Sequence, residues 1–307
     1  MSERSQTYRA LVWRQFRRNR AALLSLYTVL SLALVALLAD FVANEKPYVV
    51  AVKGKTYSPI LVDYGVWLGV ARWPEELRNV DYRRQESAVF PPIPYSPSRV
   101  NLAEESFAPP SRRHWLGTDQ LGRDVASGMV HGTRISLTVG LVVVAIQLTI
   151  GIFLGGLAGY YGGWTDIVLS RLFELMLSVP AFFLILTVAA VLPPSIYNVM
   201  IILGLIGWVG IARFIRSEFL RLRSLDFVTA ARALGVSNAA IMFRHILPNA
   251  LAPVLVSASF GVASAILAES GLSFLGIGVP ADLVTWGSIL AVSRSNTFAW
   301  WLAVFPG

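Results

Sequence analysis

The chain has 307 residues, of which 55% are hydrophobic and only 14% charged, a balance too apolar for an ordinary soluble domain. Its net charge of +8 does not argue for nucleic acid, because the arginines gather beside apolar runs without interleaved stacking aromatics. The absence of cysteine excludes disulfides, thiolate metal sites and thiol catalysis together.

Residues 1–20 form a basic lead-in carrying Arg14, Arg17, Arg18 and Arg20, expected on the cytoplasmic side. The apolar run Ala21–Ala39 is charge-free. At about 19 residues it suits a bilayer crossing better than a secretory h-region of roughly 7–15, so residues 21–43 read as an uncleaved first span. Residues 44–133 form a soluble insertion with all three lysines and the proline-rich run Phe90-Pro91-Pro92-Ile93-Pro94. Loops longer than about 60 residues translocate largely regardless of charge, and the insertion is expected to be periplasmic.

Residues 134–307 read as the membrane core. Its apolar runs are Ile135–Tyr161, Ile167–Leu192, Ser195–Ala212 and Ala250–Ala268, and a sixth starts near Thr297. That run is still apolar at Gly307, after about 11 residues, too few to cross. The expectation is an all-α integral membrane protein of six spans, here C-terminally truncated. Short-loop charge fixes the orientation. The 213–249 segment holds Arg213, Arg216, Arg221, Arg223, Arg232 and Arg244 against Glu218 and Asp226, and is expected in the cytoplasm, whereas the Pro193-Pro194 turn is uncharged.

Several residues invite a functional reading. Gly151, Gly155, Gly159 and Gly163 recur at every fourth position, which suits either close helix packing or a flexible helix end. Arg171 and Glu174 are spaced to pair on one helix face, as a structural pair or at a substrate site. Pro180 and Pro253 are expected to kink their helices. Glu269, followed by Ser270 and Gly271, is an isolated acid near a span end: a subunit-interface or pathway residue, or one placed at the headgroup boundary. Catalytic motifs are missing. No G-x-x-x-x-G-K-[ST] run or G-x-S-x-G elbow occurs, and the three histidines, His114, His131 and His245, are isolated.

The segment Phe219–Pro253 is the most informative. Ala230, Ala231 and Ala233 favour helix and expose little side chain, so another protein can approach closely. Gly235 is expected to end that helix in a left-handed conformation, and Pro248 to mark where a second short helix gives way to the next span. An amphipathic connector is the alternative. The core Thr229-Ala230-Ala231-x-x-x-Gly235, then nine residues and His245-Ile246-Leu247-Pro248, resembles the coupling loop of ABC importer permeases. Their pattern is Glu-Ala-Ala, three residues, Gly, nine residues and Ile-x-Leu-Pro, so Thr229 and His245 are departures.

Three further segments resemble the dipeptide/oligopeptide (DppC/OppC-type) group of these permeases. They are Phe16–Ala21, His114–Asp124 with Gly132–Leu137, and Glu269–Gly278 followed by Trp286-Gly287. Within the group, Ala43–Pro47 and Tyr57-Ser58-Pro59 resemble the Yej-type branch, associated with microcin C and longer peptide or muropeptide uptake.

The resemblance implies a type I importer: a homologous second permease subunit, two cytoplasmic ATPases or one fused ATPase, a periplasmic solute-binding protein and a peptide substrate. ATP and Mg would be bound by the partners, and this chain would hold no cofactor. ATPase closure would act on the segment 226–248, with Ala230, Ala231 and Gly235 seating the helix and Arg232 and Arg244 making polar contacts at its rim. The insertion would meet the binding protein or passively cap the outer mouth. A stand-alone channel or secondary transporter is the alternative, but two repeated halves are not evident. A membrane-anchored enzyme or receptor would need a catalytic constellation in 44–133, and none is recognised.

Overall fold

A computed structural model describes residues 8–78, 80–100, 106–280 and 283–307. The helices are α1 (Tyr8–Arg18), α2 (Arg20–Leu37), α3 (Ala39–Val42), α4 (Pro59–Trp67), α5 (Val125–Tyr161), α6 (Gly163–Ser178) and α7 (Ala181–Val191). They continue with α8 (Ile196–Gly207), α9 (Val209–Leu222), α10 (Asp226–Ala233), α11 (Asn238–Ala240), α12 (Leu247–Phe274), α13 (Trp286–Ser293) and α14 (Trp301–Val304). A π-helical turn, Ile241–Ile246, joins α11 to α12.

Among the described residues, four helical stretches are long and apolar enough to cross a membrane: Arg20–Leu37, Val125–Tyr161, Ile196–Leu222 and Asn238–Phe274. α6 and α7 form a fifth candidate, bent by 75°. The bend falls at Val179-Pro180, where proline lacks an amide hydrogen and its predecessor is extended. At Pro253, by contrast, α12 continues as one helix.

α5 is the central helix, packed against α8, α9 and α12. Small residues let α9 approach. A Cβ at Gly151 would stand 2.7 Å from the Ile211 side chain, one at Gly159 2.6 Å from the Arg216 carbonyl, and one at Gly155 would strike the Ala212 carbonyl. Gly163 has open space and a φ of +50°, so it belongs to the turn into α6. The four-residue glycine spacing thus holds three packing positions and one turn residue.

The insertion is folded. Val50–Val52 and Lys55–Tyr57 pair as a hairpin, β1 and β2, across Lys53 and Gly54, both at positive φ as a two-residue turn of this hand requires. Val50, Val52 and Leu77 form a small core with Trp73 and Tyr82. Among the described residues the chain therefore carries one small antiparallel sheet beside its helices.

Three helices extend beyond the apolar runs of the sequence. The helix that carries the second span begins at Val125, ahead of the apolar run from Ile135: Asp124 caps it by accepting from the Ser127 amide at 2.7 Å, and Arg134 within it pairs with Asp40. The helix that follows the fourth apolar run continues past Ala212 to Leu222, where Asp166 accepts from Arg216 (Nη2–Oδ2, 2.7 Å) and the Tyr160 carbonyl accepts from Arg223 just beyond the helix end. The segment 213–249 therefore opens within α9. No separate second short helix precedes the fifth span either, since Asn238–Phe274 is continuous through the π turn, and Pro248 lies in the first turn of α12. Proline is tolerated there because first-turn amides have no intrahelical acceptor.

The apolar run from Thr297 contains α14. Its Trp301 is buried with Val125 and Ile289, and the indole donates to the Thr118 carbonyl at 3.0 Å.

Candidate functional site

Between the fourth and fifth spans the chain turns through α10. Asp226 suits the positive end of this short helix and Arg232 the negative end. Gly235, at φ +74°, closes it as a left-handed cap, with the Val236 amide donating to the Ala231 carbonyl at 3.1 Å and Gly235 to Arg232 at 3.0 Å.

The helix has two apolar stripes. Val228 and Ala231, three apart, are buried in a cluster with Tyr160, Phe219, Ile241, Ile246 and Ala250. Phe227, Ala230 and Leu234, spaced i, i+3, i+7, lie outside it, with Leu234 82% exposed. Thr229, Arg232, Ala233 and Gly235 are also exposed. Ala230 and Ala231 are therefore not equivalent: Ala231, at 6% exposure, meets its own chain, which removes it from the outward surface expected of it. Leu234 is the residue that motif reasoning passed over. The signal was the second apolar stripe.

Arg232 stacks on the Tyr160 ring at 5.3 Å, while the Tyr160 hydroxyl donates to Asn238 at 2.8 Å. This partly commits Arg232 to fixing α10 against the start of the fifth span. Arg244 is exposed, His245 half-buried, and Leu247 packs on the inner cluster. Pro248 is exposed, and the Asn249 side chain donates to the His245 carbonyl at 2.7 Å.

Glu269 is fully buried within this chain. Its Oε1 accepts from Ser273 at 2.7 Å and from Thr285 at 2.9 Å. Thr285 also caps α13 by accepting from the Ser288 amide at 3.0 Å. Next to it Gly287 presses on Ser270, where a Cβ would come within 2.5 Å of Cα, and the Trp286 indole donates to the Met129 carbonyl on α5 at 3.1 Å. Glu269 thus joins the end of α12 to the start of α13. Its side chain therefore does not lie on the surface of this chain. Gly271 is exposed, with open space at its Cβ position.

The segment His114–Asp124 is likewise architectural. His114 Nδ1 lies 2.8 Å from Asp124, and Asp119 accepts from the Leu121 and Arg123 amides and from Arg123 Nε at 2.7 Å. Gly117 and Gly122, both at positive φ, let the turn fold back on the start of α5. Arg171 and Glu174 pair with each other on an exposed face.

Two families match the chain. Residues 151–306 match the binding-protein-dependent transport system inner membrane component, and residues 7–59 the N-terminal transmembrane domain of oligopeptide transport permease C. Among curated proteins, the peptidoglycan transport system permease protein YejE of Agrobacterium fabrum is 34% identical, over 95% of this chain and 85% of its own length. The inner membrane ABC transporter permease protein YejE of Escherichia coli is 35% identical, over 95% and 88%. The dipeptide transport system permease protein DppC of Alkalihalophilus pseudofirmus is 40% identical, over 72% and 73%. An alignment over 95% must include most of the insertion, which one over 72% can omit.

Proposed function

Because the chain belongs to the family of binding-protein-dependent transport system inner membrane components, we propose that it is the membrane-spanning permease subunit of an ATP-driven importer for peptides or peptide-like molecules. The observation that carries this reading is the double-faced α10. One apolar stripe is locked into the bundle through Val228 and Ala231; the other, Phe227, Ala230 and Leu234, is bare. A rigid helix held between two spans, with a bare face beyond them, can transmit a partner's movement to both.

In this mechanism the ATPase supplies nucleotide chemistry and this chain supplies a lever. A partner surface seats on Ala230, Leu234 and the Gly235 turn, with Arg244 at the rim. Its displacement moves α10 as a unit, because Gly235 closes the helix and Arg232 holds it on Tyr160. The fourth and fifth spans then shift against α5 and expose the passage to alternate sides. The second permease subunit, the paired or fused ATPase and the solute-binding protein belong to this proposal, as does a cytoplasmic N-terminus. Peptide as substrate class draws on the names of the relatives, and the shared insertion favours the Yej-type branch within them.

The test is to purify the chain from its native membrane and identify the subunits that accompany it. ATP hydrolysis by the reconstituted complex is then measured with candidate peptides and a candidate solute-binding protein. Peptide-stimulated hydrolysis and vesicle uptake are expected; uptake without any ATPase subunit would favour a stand-alone transporter. Cysteines at Glu86 and Ser237, both exposed in a cysteine-free background, report orientation. An impermeant thiol reagent should reach position 86 and not 237 in intact cells with a permeabilised outer membrane.

A further inference from the structure

The insertion leaves one apolar stretch bare. Tyr64 through Ala71 contains no charged residue. Within it Trp67 is 82% exposed, Leu68 63% and Val70 79%. Gly69, at φ +72°, turns the chain where α4 ends, so these side chains form a tip.

The tip is fixed to the outer end of the first span. The Tyr64 hydroxyl donates to Asp40 at 2.6 Å, the Tyr64 ring stacks on Phe41 at 5.9 Å, and Lys46 pairs with Asp63 at 2.5 Å. Arg134 of the second span donates to the same Asp40 carboxylate at 2.9 Å and to the Ala36 carbonyl at 2.8 Å. Asp40 stands three residues past Leu37, the last residue of the span. Those three residues rise about 4–5 Å, and one helical turn from Tyr64 to Trp67 adds about 5 Å at most. The interfacial zone on each side of the hydrocarbon core is roughly 5–7 Å deep. The tip therefore lies within about 10 Å of the end of the span, close enough for its side chains to reach the interfacial zone.

We propose that Trp67, Leu68 and Val70 insert into the headgroup region of the lipid leaflet around the outer end of the first span, and so hold the insertion down on the membrane. Lipid is the occupant because the tip extends a lipid-facing surface. Leu34 and Leu37, at the end of α2, are 56% and 72% exposed, and Asp40, three residues further on, is the acid that Tyr64 of α4 contacts. Tryptophan is at home in this zone, where its ring is buried and its indole N–H stays wet. Arg72, exposed just past the tip, is placed to meet lipid phosphates while its stem covers apolar surface. The anchor would fix the height of the insertion above the bilayer without a covalent lipid.

The test uses a nitroxide on Trp67→Cys, with Lys53→Cys in the exposed hairpin turn as a reference. The chain and its co-purifying subunits are reconstituted into nanodiscs of phosphatidylcholine and phosphatidylglycerol. Collision with oxygen, which partitions into lipid, is compared with collision with a water-soluble nickel chelate. The expected oxygen-to-nickel ratio at position 67 is several-fold above that at position 53. Equal ratios would place the tip in water, and low collision with both probes would place it against protein; either result overturns the proposal.

Discussion

Asp40 and Arg134 are 94 residues apart in sequence, yet a 2.9 Å hydrogen bond between them joins the first two spans on the side of the insertion. The same carboxylate accepts from Tyr64 of the insertion, so one acid ties together three elements. It also meets the charge of Arg134 within α5.

This relationship predicts coupled losses. The Asp40 and Arg134 side chains are 26% and 42% exposed, so solvent screens the pair and its own coupling should be modest, about 0.5–1 kcal/mol. A double-mutant cycle with Asp40→Asn and Arg134→Gln, read by chemical or thermal unfolding in detergent, should give that value. Fully additive effects would mean that the two residues act independently.

The α5–α9 contact predicts opposite responses at two glycines. Gly155→Ala drives a Cβ into the Ala212 backbone, which cannot move as a flexible side chain would, and should cost about 1–3 kcal/mol. Gly271→Ala meets open space in a helix interior and should be neutral or stabilising by up to about 1 kcal/mol. Thermal midpoints of the two purified variants decide it; equal midpoints would count against the close approach.

On α10, neighbouring alanines should fail differently. Leu234→Asp and Ala230→Arg alter only the bare stripe, so both should leave the thermal midpoint within a few degrees while lowering ATPase-subunit recovery at least tenfold. Ala231→Arg places a charge in the buried cluster and should reduce the amount of folded protein itself. Gly235→Val forces a β-branched residue into positive φ, at a cost of about 1–2 kcal/mol. Full partner recovery with Leu234→Asp would rule out the bare stripe as the docking face.

Glu269 should behave as a structural acceptor. Glu269→Gln keeps the shape and one carbonyl oxygen for Ser273 and Thr285, and should cost about 1 kcal/mol or less. Glu269→Ala leaves both hydroxyls without that acceptor and opens a void, at roughly 2–4 kcal/mol. Detergent thermal stability of the two variants, with uptake normalised to folded protein, provides the check. A large uptake defect in the Gln variant at unchanged stability would contradict a purely structural role.

Local chemistry determined much of this protein. Apolar run length marked the spans, Pro180 the bend, and Gly235 the end of α10, because hydrophobic length, a missing amide and a left-handed turn are properties of a few adjacent residues. The motifs around α10 were likewise readable as family marks before any partner contact was visible. Tertiary structure alone decided how charge within the long helices is met, since Asp40 and Asp166 reach Arg134 and Arg216 from distant sequence. It also decided which of two adjacent alanines faces inward. A helix advances about 100° per residue, so Ala230 and Ala231 look alike in sequence yet fall on different faces once Val228 has found its core. Glu269 follows the same rule: an isolated acid in sequence, it becomes a hydrogen-bonded joint only when Thr285 is folded against it.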